Sequence, residues 1–237
     1  MRIILNGQMK NLPPDNEKKE LLAKEKRWEK YYLVKTPLLL KKIYPSYLWS
    51  IDTKEKTLYL TFDDGPHPEI TPFVLRQLKR YNALATFFCI GKNVVSFPDI
   101  YKQIHDEGHA VGNHTYNHLN GWKTENEIYL KDIAEASKVI ASSLFRPCYG
   151  RITNLQAKNL KQVMKGKEPT IVMWDVLSGD FDTECTPQQC LANVIFASVP
   201  GSIIVFHDSE KAFPRLEYTL PKVLHYFSEK GYLFKAL

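Results

Sequence analysis

Two groups of side chains in this sequence could act together on a hydrolysable bond. The first is the acidic doublet Asp63-Asp64, within Thr61-Phe62-Asp63-Asp64-Gly65-Pro66. Adjacent carboxylates repel, and the usual reason for such a pair is a cation or a shared proton. The second is His114-Thr115-Tyr116-Asn117-His118, with imidazoles at i and i+4. On a helical turn both rings share one face, as in many metal-binding histidine pairs. One carboxylate and two histidines make a three-ligand site for a divalent cation, with positions open for water and substrate. The other carboxylate is then free to act as a base.

These groups must be brought together by the elements that carry them. Leu58-Tyr59-Leu60 reads as a buried strand running into the doublet, and Gly65-Pro66 as a turn. Further strands are expected at 85–90, 109–112, 144–145, 171–174, 202–206 and 232–234. Helices are expected at 72–81, with Thr71 as N-cap, at 98–107, closed by Gly108, and at 125–143 and 221–228. The third of these carries Ile128, Ile133, Ala136 and Ile140 at helical spacing. Alternating strands and helices imply an α/β fold with a largely parallel sheet of about seven units, closed or open. Polar residues follow the strands repeatedly: Arg146-Pro147-Cys148-Tyr149-Gly150, then Trp174-Asp175 and Asp180-Phe181, then His207-Asp208. In parallel α/β folds the C-terminal strand ends form one face, where sites are built.

The 237 residues are 44% hydrophobic, enough for a substantial core. A net charge of +6, spread along the chain, describes a solvated surface that suits an anionic polymer or envelope and is weak evidence for nucleic acid, which is not expected as a partner. The first 32 residues read as a charged extension, and 33–52 as a short apolar segment that packs on the domain formed by 53–237. A membrane-surface helix is the sharper alternative for 33–52. No transmembrane stretch is present, and Met1 to Gln8 is too short and mixed for a secretory core. The protein is therefore expected in the cytoplasm, or in the envelope if an export signal lies outside this sequence. Cys89 reads as a small core residue. Cys185 and Cys190 are close enough to bridge, but spacing alone does not pair them.

The order and wording of these motifs resemble the NodB-homology polysaccharide deacetylases, a carbohydrate esterase family, over about residues 53–237. Thr-Phe-Asp-Asp-Gly-Pro, His-Thr-x-x-x-His and Arg-Pro-x-Tyr-Gly carry most of the likeness. The resemblance implies a distorted (β/α) barrel of about seven parallel strands, with the active site at their C-terminal ends. It also implies roles. Asp63 would be the general base, oriented by Arg146, and Asp64, His114 and His118 would hold one divalent metal. That metal is commonly zinc, with cobalt, manganese, nickel or iron as options. Asp180 would hold His207, the acid for the leaving amine. Tyr149, through its backbone N–H, would stabilise the oxyanion, and Phe181 and Val205 would join it on the substrate side. The implied substrate is an acetylated polysaccharide or oligosaccharide of the N-acetylglucosamine type.

Two departures stand out. Leu177 and Phe181 replace the first acid and the tryptophan of the usual Asp-x-x-Asp-Trp, and Cys148 replaces a proline. The residues alone also admit a non-haem iron enzyme, which shares the two-histidine, one-carboxylate site. A non-catalytic carbohydrate-binding protein and, more remotely, a phosphatase are further alternatives. The sequence is silent on oligomeric state.

Overall fold

The computed structural model describes residues 32–164 and 168–237. The chain divides into two units, 1–33 and 34–237, and the fold is that of the second. The expected charged extension falls almost wholly outside the described residues.

The strands are β1 Thr57–Asp63, β2 Ala85–Cys89, β3 Ala110–Asn113, β4 Leu144–Phe145, β5 Thr170–Ile171, β6 Val176–Leu177, β7 Ile203–His207 and β8 Leu233–Phe234. Seven lie side by side in the order β5-β4-β3-β2-β1-β7-β6, all parallel, and β8 pairs with the start of β1. The central strands β1, β2 and β7 are buried almost throughout. That is why they read as continuous apolar runs without alternation: helices cover a parallel sheet on its faces.

The edge strands β5 and β6 are neighbours in sequence, separated only by residues 172–175. Five residue steps from Ile171 to Val176 reach at most about 18 Å. The edges of a flat seven-stranded sheet lie about 29 Å apart. The sheet must therefore curl, and it forms a half-barrel, as expected.

The helices are α1 Leu38–Ile43, α2 Ile70–Arg80, α3 Gly91–Ser96, α4 Pro98–Asp106, α5 Asn126–Ala136, α6 Asn154–Val163, α7 Pro187–Ala197 and α8 Phe213–Glu229. Several differ from expectation. Thr71 is not an N-cap: α2 starts at Ile70, and the Thr71 hydroxyl donates to Asp208 instead. The buried face of α5 is Tyr129, Asp132, Ile133 and Ala136, whereas Ile128 is exposed. Helix α8 runs through Pro221 from a start eight residues earlier than that proline suggests.

Segment 34–50 lies along the half-barrel edges. Leu48 donates its N–H to Ile171 and accepts from Met173, beside β5, while Val34 and Thr36 exchange backbone bonds with Leu177 and Asp175, beside β6. Lys35 and Lys41 each reach the buried Asp175 carboxylate at 2.6 Å, and Ser202 donates to it at 2.5 Å. The strap thus covers two edges that would otherwise expose unpaired backbone groups. Asp175 and Ser202 sit at the start of β7, at the opposite end of the strand from His207. Asp175 is accordingly a brace. No helix among the described residues is long and apolar enough to cross a membrane.

Candidate active site

Apart from Val205, which lies within β7, each expected residue lies at or beyond a C-terminal strand end. Asp63 ends β1 and pairs in register with His207, which ends β7. His114 follows β3, Arg146 follows β4, and Asp180 follows β6. The strand β6 was not expected; it is two residues long, and a bend at Asp175 separates it from the predicted run 171–174. The parallel sheet therefore gathers residues far apart in sequence on one rim.

Asp63 is held by Arg146, the largest fully buried side chain. Nη1 donates to Asp63 Oδ1 and to Thr61 Oγ1, both at 2.7 Å. Nε and Nη2 donate to the carbonyls of Val172 and Met173 at 3.2 and 2.9 Å, and the guanidinium lies 4.0 Å from the Phe88 ring centroid. A planar fork with five donors suits this set of acceptors, which an ammonium does not.

Asp64 faces the two imidazoles. Its Oδ1 lies 3.2 Å from His118 Nε2 and 3.8 Å from His114 Nε2. This oxygen is buried and has no hydrogen-bond partner among the described residues. Burial would raise the Asp64 carboxyl, but His118, His207 and His114 outweigh it and hold the group well below the usual carboxylate range. The segment 114–118 is not the helical turn expected from its spacing. It is a loop in which Thr115 and His118 have φ of 64° and 59°. Asp64 and Tyr149 are also left-handed, at 85° and 59°. Four such non-glycine residues around one site indicate stored backbone strain, which persists only where the surroundings enforce it.

That enforcement is visible. Asp132, on the buried face of α5, accepts from the backbone N–H groups of Tyr116 and Asn117 at 2.8 and 3.0 Å and from the Asn117 amide. Asn113 accepts from Thr115 N–H at 2.8 Å and donates to Ile133 and Ser137 of α5 and its end. Asp208 accepts from Gly65 N–H at 2.9 Å and from the Thr71 hydroxyl. A Cβ on Gly65 would lie 2.1 Å from Asp208 Oδ2, so only glycine fits that turn. Asp132 and Asn113 were not among the expected residues. The available signal for Asp132 was an acid on the apolar stripe of a helix.

His207 forms the second acid–base pair. Its Nδ1 donates to Asp180 Oδ1 at 2.8 Å, and its backbone N–H donates to Asp180 Oδ2 at 2.7 Å. Burial alone would lower the imidazolium, but the charge and hydrogen bond of Asp180, then Asp64 and Asp63, push it up to about 10. That environment favours the protonated ring at neutral pH. Phe181 lies edge-on to His207, with centroids 5.4 Å apart. Tyr149 packs against His118 at 4.8 Å. Val205 is buried on the same side of β7 as His207, two residues away. Beside Asp64 and His118 opens a cavity of about 340 Å³, also lined by His67, Lys92, Asn93 and Glu210.

Comparison with known proteins agrees with this arrangement. Residues 50–164 match the family model described as polysaccharide deacetylase. A peptidoglycan-N-acetylglucosamine deacetylase of Bacillus cereus is 33% identical, over 83% of this chain and 94% of its own. The chain belongs to the polysaccharide deacetylase family. A chitooligosaccharide deacetylase of Azorhizobium caulinodans is 33% identical, over 67% of this chain and 76% of its own. The crystal structure of the peptidoglycan N-acetylglucosamine deacetylase Bc1960, with 4-naphthalen-1-yl-N-oxidanyl-benzamide, superposes with a TM-score of 0.75 at 33% identity. It covers 85% of this chain and 95% of the other.

Polysaccharide deacetylases of this family, carbohydrate esterase family 4, are generally metal-dependent hydrolases. The residues here fit a cation. The unpartnered Asp64 Oδ1 is one donor. His114 Nδ1 lies 2.8 Å from the Arg146 carbonyl, which only accepts, so Nδ1 carries the proton and Nε2 keeps its lone pair. Burial, only partly offset by Asp63 and Asp64, lowers the His114 imidazolium to about 4 and keeps the ring neutral. Cys148 Sγ also lies within 4.8 Å of ligand atoms of both histidines, a second possible donor set. The thiol is the poorer donor. It is engaged with the His114 carbonyl and the Thr115 hydroxyl, both at 3.4 Å, and burial pushes its ionisation well above the usual thiol range.

Proposed function

We propose that this deacetylase is a metal-dependent N-deacetylase that removes acetyl groups from N-acetylglucosamine residues of a cell-wall polysaccharide, with zinc as its cation. One observation carries the reading. A buried, unpartnered carboxylate oxygen faces two imidazole nitrogens, while the neighbouring carboxylate is gripped separately by a buried arginine. That division of labour suits a hydrolase. The names of the similar proteins, which act on peptidoglycan and chitooligosaccharides, support the substrate class.

Asp64, His114 and His118 would hold the cation. When bound, it supplies Lewis acidity, acidifying water and polarising the acetyl oxygen. Asp63 takes the proton from the attacking water, and Arg146 fixes the direction of its lone pairs. The Tyr149 backbone N–H donates to the negative charge that develops on the acetyl oxygen, a contribution typically worth ~3 kcal/mol. His207, charged and oriented by Asp180, gives its proton to the departing nitrogen. The carbon–oxygen bond forms, the carbon–nitrogen bond breaks, and acetate and a free amine leave. Phe181 and Val205 form the apolar side of the acetyl site.

Acetate release from acetylated chitooligosaccharides and from peptidoglycan tests the proposal. Stripped protein should be inactive, and one equivalent of zinc should restore release. A non-haem iron enzyme or a binding protein would release no acetate under either condition.

A further inference from the structure

The Trp122 indole is 61% exposed, yet it is fixed. Its Nε1–H donates to the Ile152 carbonyl at 3.0 Å. The Arg151 guanidinium lies 4.1 Å from the ring centroid, covering one face and leaving the other open. The turn beneath is tied down as well: the Gln156 amide donates to Gly121 and accepts from Thr153 N–H. Folding does not explain a large ring held in this way. Turned inward it would gain hydrophobic free energy, and immobilising it at the surface costs side-chain entropy. Its position supplies a reason. Only Gly150 separates Arg151 from Tyr149, whose own ring is 61% exposed and packs against His118. Trp122 thus leans on the segment, two residues further on, that carries Tyr149 against His118, and both segments follow C-terminal strand ends.

We propose that Trp122, backed by Arg151, is a subsite for a further pyranose ring of the same glycan, beyond the sugar undergoing deacetylation. The apolar C–H face of a hexopyranose stacks on the open indole face, and the fixed ring needs no ordering when it does so. This subsite rests on the deacetylase reading. It makes Trp122 a determinant of chain-length preference, remote from the chemical step.

The test uses N-acetylglucosamine oligomers from the disaccharide to the hexasaccharide, with wild type, W122A and W122F. W122A should raise KM for the hexasaccharide about tenfold and leave kcat unchanged. The disaccharide, which offers the fewest sugars beyond the reacting one, should show the smallest difference. W122F keeps a ring and should lose less. In parallel, the hexasaccharide is titrated against tryptophan fluorescence, where the wild-type change should vanish in W122A. Equal KM values along the whole ladder, with an unchanged fluorescence response, would overturn the subsite while leaving the deacetylase intact. If no protein releases acetate from any oligomer, the deacetylase reading fails, and the fluorescence titration alone decides whether Trp122 binds the glycan.

Discussion

Asp63→Asn slows acetate release by about a thousandfold, the middle of the range for a general base, while zinc content stays close to wild type; the melting temperature falls, because the amide leaves the buried Arg146 charge without its counter-ion. The amide keeps the shape of the carboxylate, and its oxygen still accepts from Arg146 Nη1 in place of the 2.7 Å bond. It cannot take a proton from water. The cation would be held by Asp64, His114 and His118, none of which is altered. A steady-state assay beside metal analysis of the same preparation checks this. If the variant keeps more than a tenth of wild-type activity, Asp63 is not the base. If it loses its zinc, the two carboxylates do not divide the work as argued.

Arg146→Met should both unfold the protein more easily and abolish activity. Arg146 is 0% exposed and Asp63 is 3% exposed. Removing the guanidinium leaves a buried carboxylate without its counter-ion, and the Thr61 hydroxyl and the carbonyls of Val172 and Met173 lose their donor. Breaking a buried pair from one side typically costs about 3–5 kcal/mol. For a domain of this size that corresponds to a fall in melting temperature of about 10 °C. Arg146→Lys keeps the charge but cannot span acceptors on β1 and beyond β5 together, so it should fall between the two. A thermal melt of the three proteins reads the order directly. A methionine variant as stable as wild type would mean that Arg146 does not carry the Asp63 charge.

Much of the site was legible because the chemistry lies in short motifs at strand ends. Asp63, Asp64, His114, Arg146 and His207 all adjoin strands long or apolar enough to read, and the alternation of strand and helix gave the fold class. The loop at 114–118 misled because i, i+4 spacing fits a helix, whereas its geometry is set by Asn113 and Asp132 from another element. Strand β6 has two residues and no periodicity to detect. The upward shift of the His207 imidazolium is illegible in the sequence for a related reason: Asp180 reaches it only because β6 and β7 are neighbours. Other omissions were avoidable. Helices α6 and α7 each open with a capping box, Thr153 with Gln156 and Thr186 with Gln189, a pattern visible in the bare sequence. Pro221 reads as a helix start, although packing of Leu220, Val223 and Leu224 carries α8 through it.

The most direct test of the cation site is an anomalous difference map, recorded at the zinc absorption edge, from crystals of zinc-loaded protein. A single strong peak should lie about 2.0–2.2 Å from Asp64 Oδ1, His114 Nε2 and His118 Nε2. A peak ligated by Cys148 Sγ without Asp64, or no peak beside these imidazoles, would contradict the account.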